Sequence, residues 1–398
     1  MPQTEHTDWN RRADSRPDRG SDRVTERFRV QIRRRRQQLT ALLLCVLLLA
    51  APLTFCGCDR GGVSENVPQQ TVTDLDGREV DIPEDPQRVA CINSAAAHMM
   101  AMLGEEDQIV AVPNGVKSDE LMKRKIDNLE DLSVPMQDND LNIEELIDIK
   151  ADLVIVKRNQ ISASGQKEKL EKAGIPWIVV DFENIRELRK SVKLMGGIFG
   201  REKRAASYNR FAEKTISMVS DRIGEVPDSR RPQVYHSVNE AIRTDPKGGI
   251  CEEIMEKAGV TDISTKHNLS TEENKTYATI EEIYKWDPEA IIANESSVTS
   301  YVLSDSKWKG LQAVKKKKVY TLPVGATRWC HPGSIEAHMG VLAVAWRFYP
   351  DDFKDFDFKG YVRDYYKKYF DLTLDDDTIN SILAGEGMRR SNDAEKVN

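Results

Sequence analysis

The sequence predicts an α/β fold of two lobes, each built on a mainly parallel sheet, joined by one long helix, with a ligand cleft between the lobes. Three observations predict it. After Pro86, short apolar strand patterns alternate with helical ones, the order expected of parallel strands covered by helices. That alternation occurs twice. Between the two series lies Arg201–Ile223, a helical stretch without Gly or Pro that would span about 35 Å.

The elements follow in order. Residues 71–82 alternate in polarity around Asp76-Gly77, a hairpin signal. The first series has strands at Arg88–Ile92, Gln108–Val112, Ala151–Val156 and Pro176–Val180. Its helices are Ala96–Leu103, Ile143–Ile149 and Gly165–Ala173. A helical region from Ile185 to Ile223 is interrupted at Gly196-Gly197 and Gly200. The second series has strands at Gln233–Ser237, Ala290–Ala293 and Lys318–Leu322. Its helices are Gly249–Ala258, Thr279–Lys285, Trp308–Val314 and Ser334–Tyr349, followed by Tyr361–Tyr369. The expected division is an N-terminal lobe over 71–190, the connecting helix over 191–228, a C-terminal lobe over 229–375 and a tail over 376–398.

The segment before these elements reads as an address. Arg33–Arg36 precede an eleven-residue apolar run, Ala41–Ala51. That run is short for a membrane span of about 20 residues and has the proportions of an export signal. Gly57-Cys58 follows, so 1–57 is expected to be a signal peptide, Cys58 its lipidated first mature residue and 58–70 a flexible tether. Cys56 ranks second because bulky Phe55 precedes it, and an uncleaved signal anchor is the competing reading. The basic n-region is long, which admits a later, non-ATG start near Val30. These features place the chain at a bacterial cell membrane, on its extracytoplasmic face.

Composition narrows the function. The chain has 398 residues, 39% apolar and 31% charged, with a net charge of −7. Residues 1–40 carry +5, so the remainder carries −12. An acidic globule is poorly suited to nucleic acid, whose binding depends on neutralising phosphates. No CxxC, GxSxG, HExxH, Walker A or post-strand GxGxxG motif occurs, so neither a catalytic constellation nor a metal centre is predicted. Cys91, Cys251 and Cys330 read as small buried hydrophobes.

Several stretches together resemble a known family. Thr71–Pro83 with Pro86–Ala90, Met102–Val112, Asn142–Ile155, Trp308–Tyr320, Pro332-Gly333-Ser334 and Tyr349-Pro350 are similar, in order and spacing, to substrate-binding proteins of iron-siderophore, haem and cobalamin ABC importers. The resemblance covers roughly residues 70–357. It implies two lobes bridged by one helix, no enzymatic activity, no resident cofactor, and a permease dimer with its ATPase subunits as partner. It implies a monomer that carries a metal chelate, a ferric siderophore first, with haem, cobalamin or a molybdate-like oxyanion as alternatives. The family often opens the first N-lobe helix with Ser-Pro, where this chain has Asn93-Ser94-Ala95. An exported metal-dependent or hydrolytic α/β enzyme is the alternative from another class, and an adhesin or sensor on the same fold is a third.

Particular residues carry these expectations. Arg328, Trp329 and His331 lie in the loop after the last C-lobe strand, just before a helix, where an anion and a flat apolar face would suit a ligand. The competing reading is a structured turn whose Trp fills core. His236, Asn239 and Arg243 follow the first C-lobe strand, and Asn114, Arg158 and Asn159 follow N-lobe strands. His98, beside Met99 and Met100, is either an axial ligand to haem iron or a satisfied core histidine. Glu144 and Glu281 occupy matching first-turn positions in the two lobes. The resemblance implies that they dock on permease arginines, while the plainer reading is helix capping.

Overall fold

Strands β1 (Gln69–Thr73) and β2 (Glu79–Pro83) form the expected antiparallel hairpin, with Val72 opposite Val80. Its turn is tied down by Asp74, whose buried carboxylate accepts hydrogen bonds from the backbone of Asp76, Arg78 and Val179 and from the Arg78 guanidinium. Gly77 takes φ 78°, a conformation that costs glycine little. The computed structural model describes residues 69–137, 140–162, 165–272 and 275–389. The export run, Cys56 and Cys58 lie outside the described residues.

The N-terminal sheet consists of β3 (Val89–Cys91), β4 (Ile109–Ala111), β7 (Leu153–Val156) and β8 (Trp177–Val179), all parallel, in the order β4-β3-β7-β8. A short hairpin of β5 (Met136–Gln137) and β6 (Asp140–Leu141) lies beside it. β7 reads Leu-Val-Ile-Val and is buried throughout, as befits a central parallel strand covered on both faces. The helix Ser94–Leu103 starts at Asn93, whose side chain accepts from the Ala96 N–H, and stops at left-handed Gly104.

The C-terminal sheet repeats this plan. β9 (Gln233–Ser237), β11 (Thr261–Asp262), β14 (Ala290–Ala293) and β15 (Val319–Thr321) are parallel, in the order β11-β9-β14-β15. The sequence reading did not anticipate β11, nor a small antiparallel sheet of β10 (Arg243–Thr244), β12 (Ser270–Glu272) and β13 (Lys275–Tyr277). These strands are two or three residues long, too short for a period to register.

The connecting helix Glu202–Ile223 has 22 residues, so it spans about 33 Å. It buries Ala205, Tyr208, Ala212, Thr215 and Val219, a spacing of three and four that defines one face. The preceding helix Ile185–Ile198 crosses it closely at Gly196, where a Cβ would lie 2.5 Å from that of Ala205. Phe211 stacks on Tyr361 and Tyr365 of the helix Phe358–Tyr369. A further helix, Asp376–Ala384, occupies what the sequence suggested was tail. The segment around it returns to the N-terminal lobe and the connecting helix: Asp371 pairs with Lys125 and with Arg204 of that helix, Thr378 with Arg124, and Arg389 with Asp119. Among the described residues no helix is long and apolar enough to cross a membrane.

Candidate functional site

Each parallel sheet has a point where successive strands depart in opposite directions, between β3 and β7 and between β9 and β14. Loops leaving the carboxyl ends of such strands form the natural crevice of an open α/β sheet. On the N-terminal side that loop presents Lys157 and Arg158. On the C-terminal side the loops present Asn239–Arg243 and Asn294-Glu295. The long loop after β15 adds residues 322–336.

That last loop is held from below. Glu336 is wholly buried, and its carboxylate accepts from the Thr327 N–H at 2.6 Å, the Thr327 hydroxyl at 2.7 Å and the Tyr366 hydroxyl at 2.5 Å. Trp329 is also wholly buried, with its indole N–H 3.4 Å from the Tyr366 hydroxyl and its ring against Phe358. The expected ligand-facing Trp is therefore core, because the loop folds inward against the helix Phe358–Tyr369. Its neighbours Arg328 and His331 point the other way.

Arg328, only 11% exposed, pairs with Glu295 and leaves its Nε without a partner. Burial, then the neighbouring Arg389, lowers its proton affinity. Lys157 reaches across from the N-terminal lobe: a Cβ on Gly333 would lie 3.1 Å from its Nζ. Burial lowers the Lys157 pKa, and Asp181 partly opposes that. Arg243 lies 4.0 Å from Glu240. His331 sits among these cations. Burial, followed by Arg328, Arg243 and Lys157, holds its pKa well below the ordinary histidine range, so the ring is neutral. Its Nδ1 donates to the Pro332 carbonyl at 2.8 Å, and its unprotonated Nε2 accepts from the Asn239 amide N–H at 3.5 Å. Asn239 takes φ 108°, uncommon for a residue with a side chain, and its buried Oδ1 has no partner.

So the structure brings together Arg328, His331, Asn239 and Arg243 of the residues expected at the site. It places others elsewhere. His98 is buried and bonded through Nε2 to Asp119 at 3.1 Å, among core Met99 and Met100, so it does not face a ligand. His236 is wholly buried, 2.5 Å from Asp245 and 3.2 Å from Asn294. Arg158 turns back to the first hairpin, to Asp76 at 2.6 Å and the Leu75 carbonyl at 3.1 Å. Asn114 and Asn159 are exposed on the short helices Asn114–Lys117 and Arg158–Ser162 that follow β4 and β7. Lys157, Glu295 and Arg389 were missed. Lys157 had a signal, being the first residue past a buried strand, whereas Arg389 is brought in from the chain's far end.

Glu144 and Glu281 are exposed at the second position of their helices. The residues that follow them serve the backbone: Glu282 accepts from the Thr279 N–H at 2.7 Å, and Glu145 accepts from the Val134 N–H at 3.2 Å. One turn beyond each exposed glutamate stands an exposed apolar side chain, Ile147 at 53% and Tyr284 at 40%. Each pair borders an open surface depression, one lined by Glu144 and Ile147, the other by Glu281 and Tyr284.

A family model described as periplasmic binding protein matches residues 89–324. Over 324 residues the chain is 25% identical to the molybdate-binding protein MolA of Haemophilus influenzae, which covers 75% of this chain and 90% of that one. It is also 25% identical over 325 residues to YvrC of Bacillus subtilis, an uncharacterized ABC transporter substrate-binding lipoprotein, over 79% of this chain and 97% of that one. The solved structure of MolA with molybdate aligns with a TM-score of 0.69 at 24% identity, covering 77% of this chain and 99% of that one. With more than half its length matched, and with two four-stranded parallel sheets joined in sequence through a long helix, this chain belongs to the periplasmic binding protein family.

Proposed function

We propose that the chain is the extracytoplasmic binding component of an ABC importer and that its cargo is a small anion, a tetrahedral oxyanion of the molybdate type. The observation that carries this is the convergence of Arg328, Arg243 and Lys157 around a neutral His331. Such a site offers charge and N–H donors to oxygen atoms on several sides, the chemistry an oxyanion requires. The 25% identity to a molybdate-binding protein supports the same reading. A ferric siderophore, haem or a corrinoid is served less well, because Trp329, the flat apolar face such a ligand would use, lies in the core. Binding rather than catalysis fits the geometry too, since His331 Nε2 accepts from the Asn239 amide rather than from a nucleophile.

Titration calorimetry with molybdate, sulfate, a ferric siderophore, haem and cobalamin tests the proposal. Molybdate is expected to bind, and Arg243→Ala to weaken it by about 1.5–3 kcal/mol, about one to two decades in Kd. Binding of a ferric or corrinoid ligand without molybdate would overturn the assignment, as would unchanged molybdate affinity in a folded Arg243→Ala protein.

A further inference from the structure

Beneath the cleft loops, inside the C-terminal lobe, five chemistry-bearing side chains meet. His236 is the last but one residue of β9, Asp245 follows β10, Cys251 is the second residue of the helix Ile250–Lys257, Asp262 ends β11 and Cys330 lies in the loop after β15. None is more than 1% exposed. The ligating atoms of His236, Cys251 and Cys330 all lie within 4.8 Å of one another, and so do those of His236, Asp245 and Asp262. Tetrahedral zinc with nitrogen and sulfur at their usual bond lengths needs ligand separations of about 3.3–3.8 Å. Modest side-chain adjustment reaches that spacing.

Two independent features point to an ion. First, Asp245 Oδ1 and Asp262 Oδ2 are buried with no hydrogen-bond partner, although a buried carboxylate oxygen ordinarily has one. Second, His236 Nε2 lies 3.2 Å from Asn294 Oδ1. An amide oxygen only accepts, so Nε2 donates to it, and at hydrogen-bond distance from a carboxylate Nδ1 holds a second, exchangeable proton that a metal would displace. That nitrogen faces the Asp245 carboxylate at 2.5 Å. An oriented imidazole whose far nitrogen is fixed by an outer acceptor is the usual arrangement of a metal-bound histidine.

We propose that the C-terminal lobe holds a structural zinc ion, ligated by the thiolates of Cys251 and Cys330, by His236 Nδ1 and by a carboxylate oxygen of Asp245. On binding, each thiol releases its proton to solvent and the metal takes the place of any proton between His236 and Asp245. Two sulfurs, one nitrogen and one oxygen form a closed tetrahedral set suited to zinc. The site is sealed, so the ion is acquired on folding and is not the transported cargo. It joins four chain segments and fixes the loop on which Arg328 and His331 flank Cys330.

The full-length protein, extracted from membranes without chelator, is tested by elemental analysis and thiol titration. One zinc per chain is expected, retained in Arg243→Ala and Cys91→Ala and reduced to background in Cys251→Ser and Cys330→Ser. Should the serine variants fail to fold, the wild-type protein refolded with cobalt(II) decides, by the thiolate charge-transfer and d–d absorption of a tetrahedral cobalt site. Absence of zinc and of that spectrum would overturn the proposal, whether the two cysteines are found as free thiols or as a Cys251–Cys330 disulfide. Loss of zinc in Arg243→Ala alone would also overturn it, by moving the ion to the cleft.

Discussion

Four buried or half-buried histidines have four different fates, and residue type alone separates none of them. His331 stands in the cleft among cations, His98 bonds to Asp119, and His236 lies against Asp245 and Asn294. His338 is enclosed by Tyr208, Phe211 and Tyr365, and neither ring nitrogen has a hydrogen-bond partner. Burial therefore pushes its pKa down to about 3, against 6.5 for the free side chain. The unfolded chain binds the extra proton between those values, so the stability this group confers is complete above about pH 6.5 and is lost as pH falls toward 3. His338→Phe keeps the ring packing and removes the linkage. Its urea midpoint should fall less than that of wild type between about pH 7 and about pH 4. An equal fall in both proteins would remove His338 from the acid sensitivity. Trp329 teaches a similar lesson at this scale. A tryptophan beside a helix start suits a ligand face as well as a core, and the choice was made by Phe358 and Tyr366, thirty or so residues away in sequence.

At the scale of elements, length and period governed what could be read. The connecting helix was legible because 22 residues without Gly or Pro repeat one buried face several times. β10 and β11, of two residues each, carry no period at all. The helix Asp376–Ala384 has a clear cap, since Asp375 accepts from the Thr378 N–H, yet an acidic stretch after a long aromatic helix read as tail. Its sequel matters to the fold. Met388 accepts from the Glu120 N–H at 3.0 Å, and Arg389 pairs at 3.1 Å with buried Asp119, whose other oxygen meets His98. Arg389→Ala leaves one Asp119 oxygen buried without its cationic donor, a loss of about 1–3 kcal/mol. The variant's Tm should fall by several degrees. An unchanged Tm would mean that the strap is not a structural tie.

For the whole molecule, the two lobes repeat one plan, and Glu144 and Glu281 sit at equivalent places in it, on helices that lead into β7 and β14. Backbone hydrogen bonding is taken up by Glu145 and Glu282, which leaves both exposed glutamates free for a partner. An exposed Ile147 or Tyr284 and an open surface depression stand beside each. We infer that this pair of matching acidic and apolar points meets the two subunits of the permease. Replacing both glutamates with Gln should leave ligand affinity intact and the Tm within a few degrees, since a first-turn charge is worth only about 0.3–1 kcal/mol. The double variant should fail to support uptake and to stimulate the transporter's ATPase, because long-range steering by charge is gone. Wild-type uptake would leave both residues as ordinary first-turn glutamates.

By itself the sequence determined the alternation of strands and helices, the bridging helix and the hairpin at Asp76-Gly77. Each is written in the spacing of neighbouring residues, and backbone geometry converts that spacing into structure locally. Only the tertiary structure decided that His331 meets Arg328, Arg243 and Lys157 while Trp329 is core, that Arg389 reaches Asp119, and that His236, Asp245, Cys251, Asp262 and Cys330 share one buried space. These residues stand at unrelated intervals along the chain. Whether a side chain meets water, a cation or a thiol depends on which distant segments pack over it, and no local period records that.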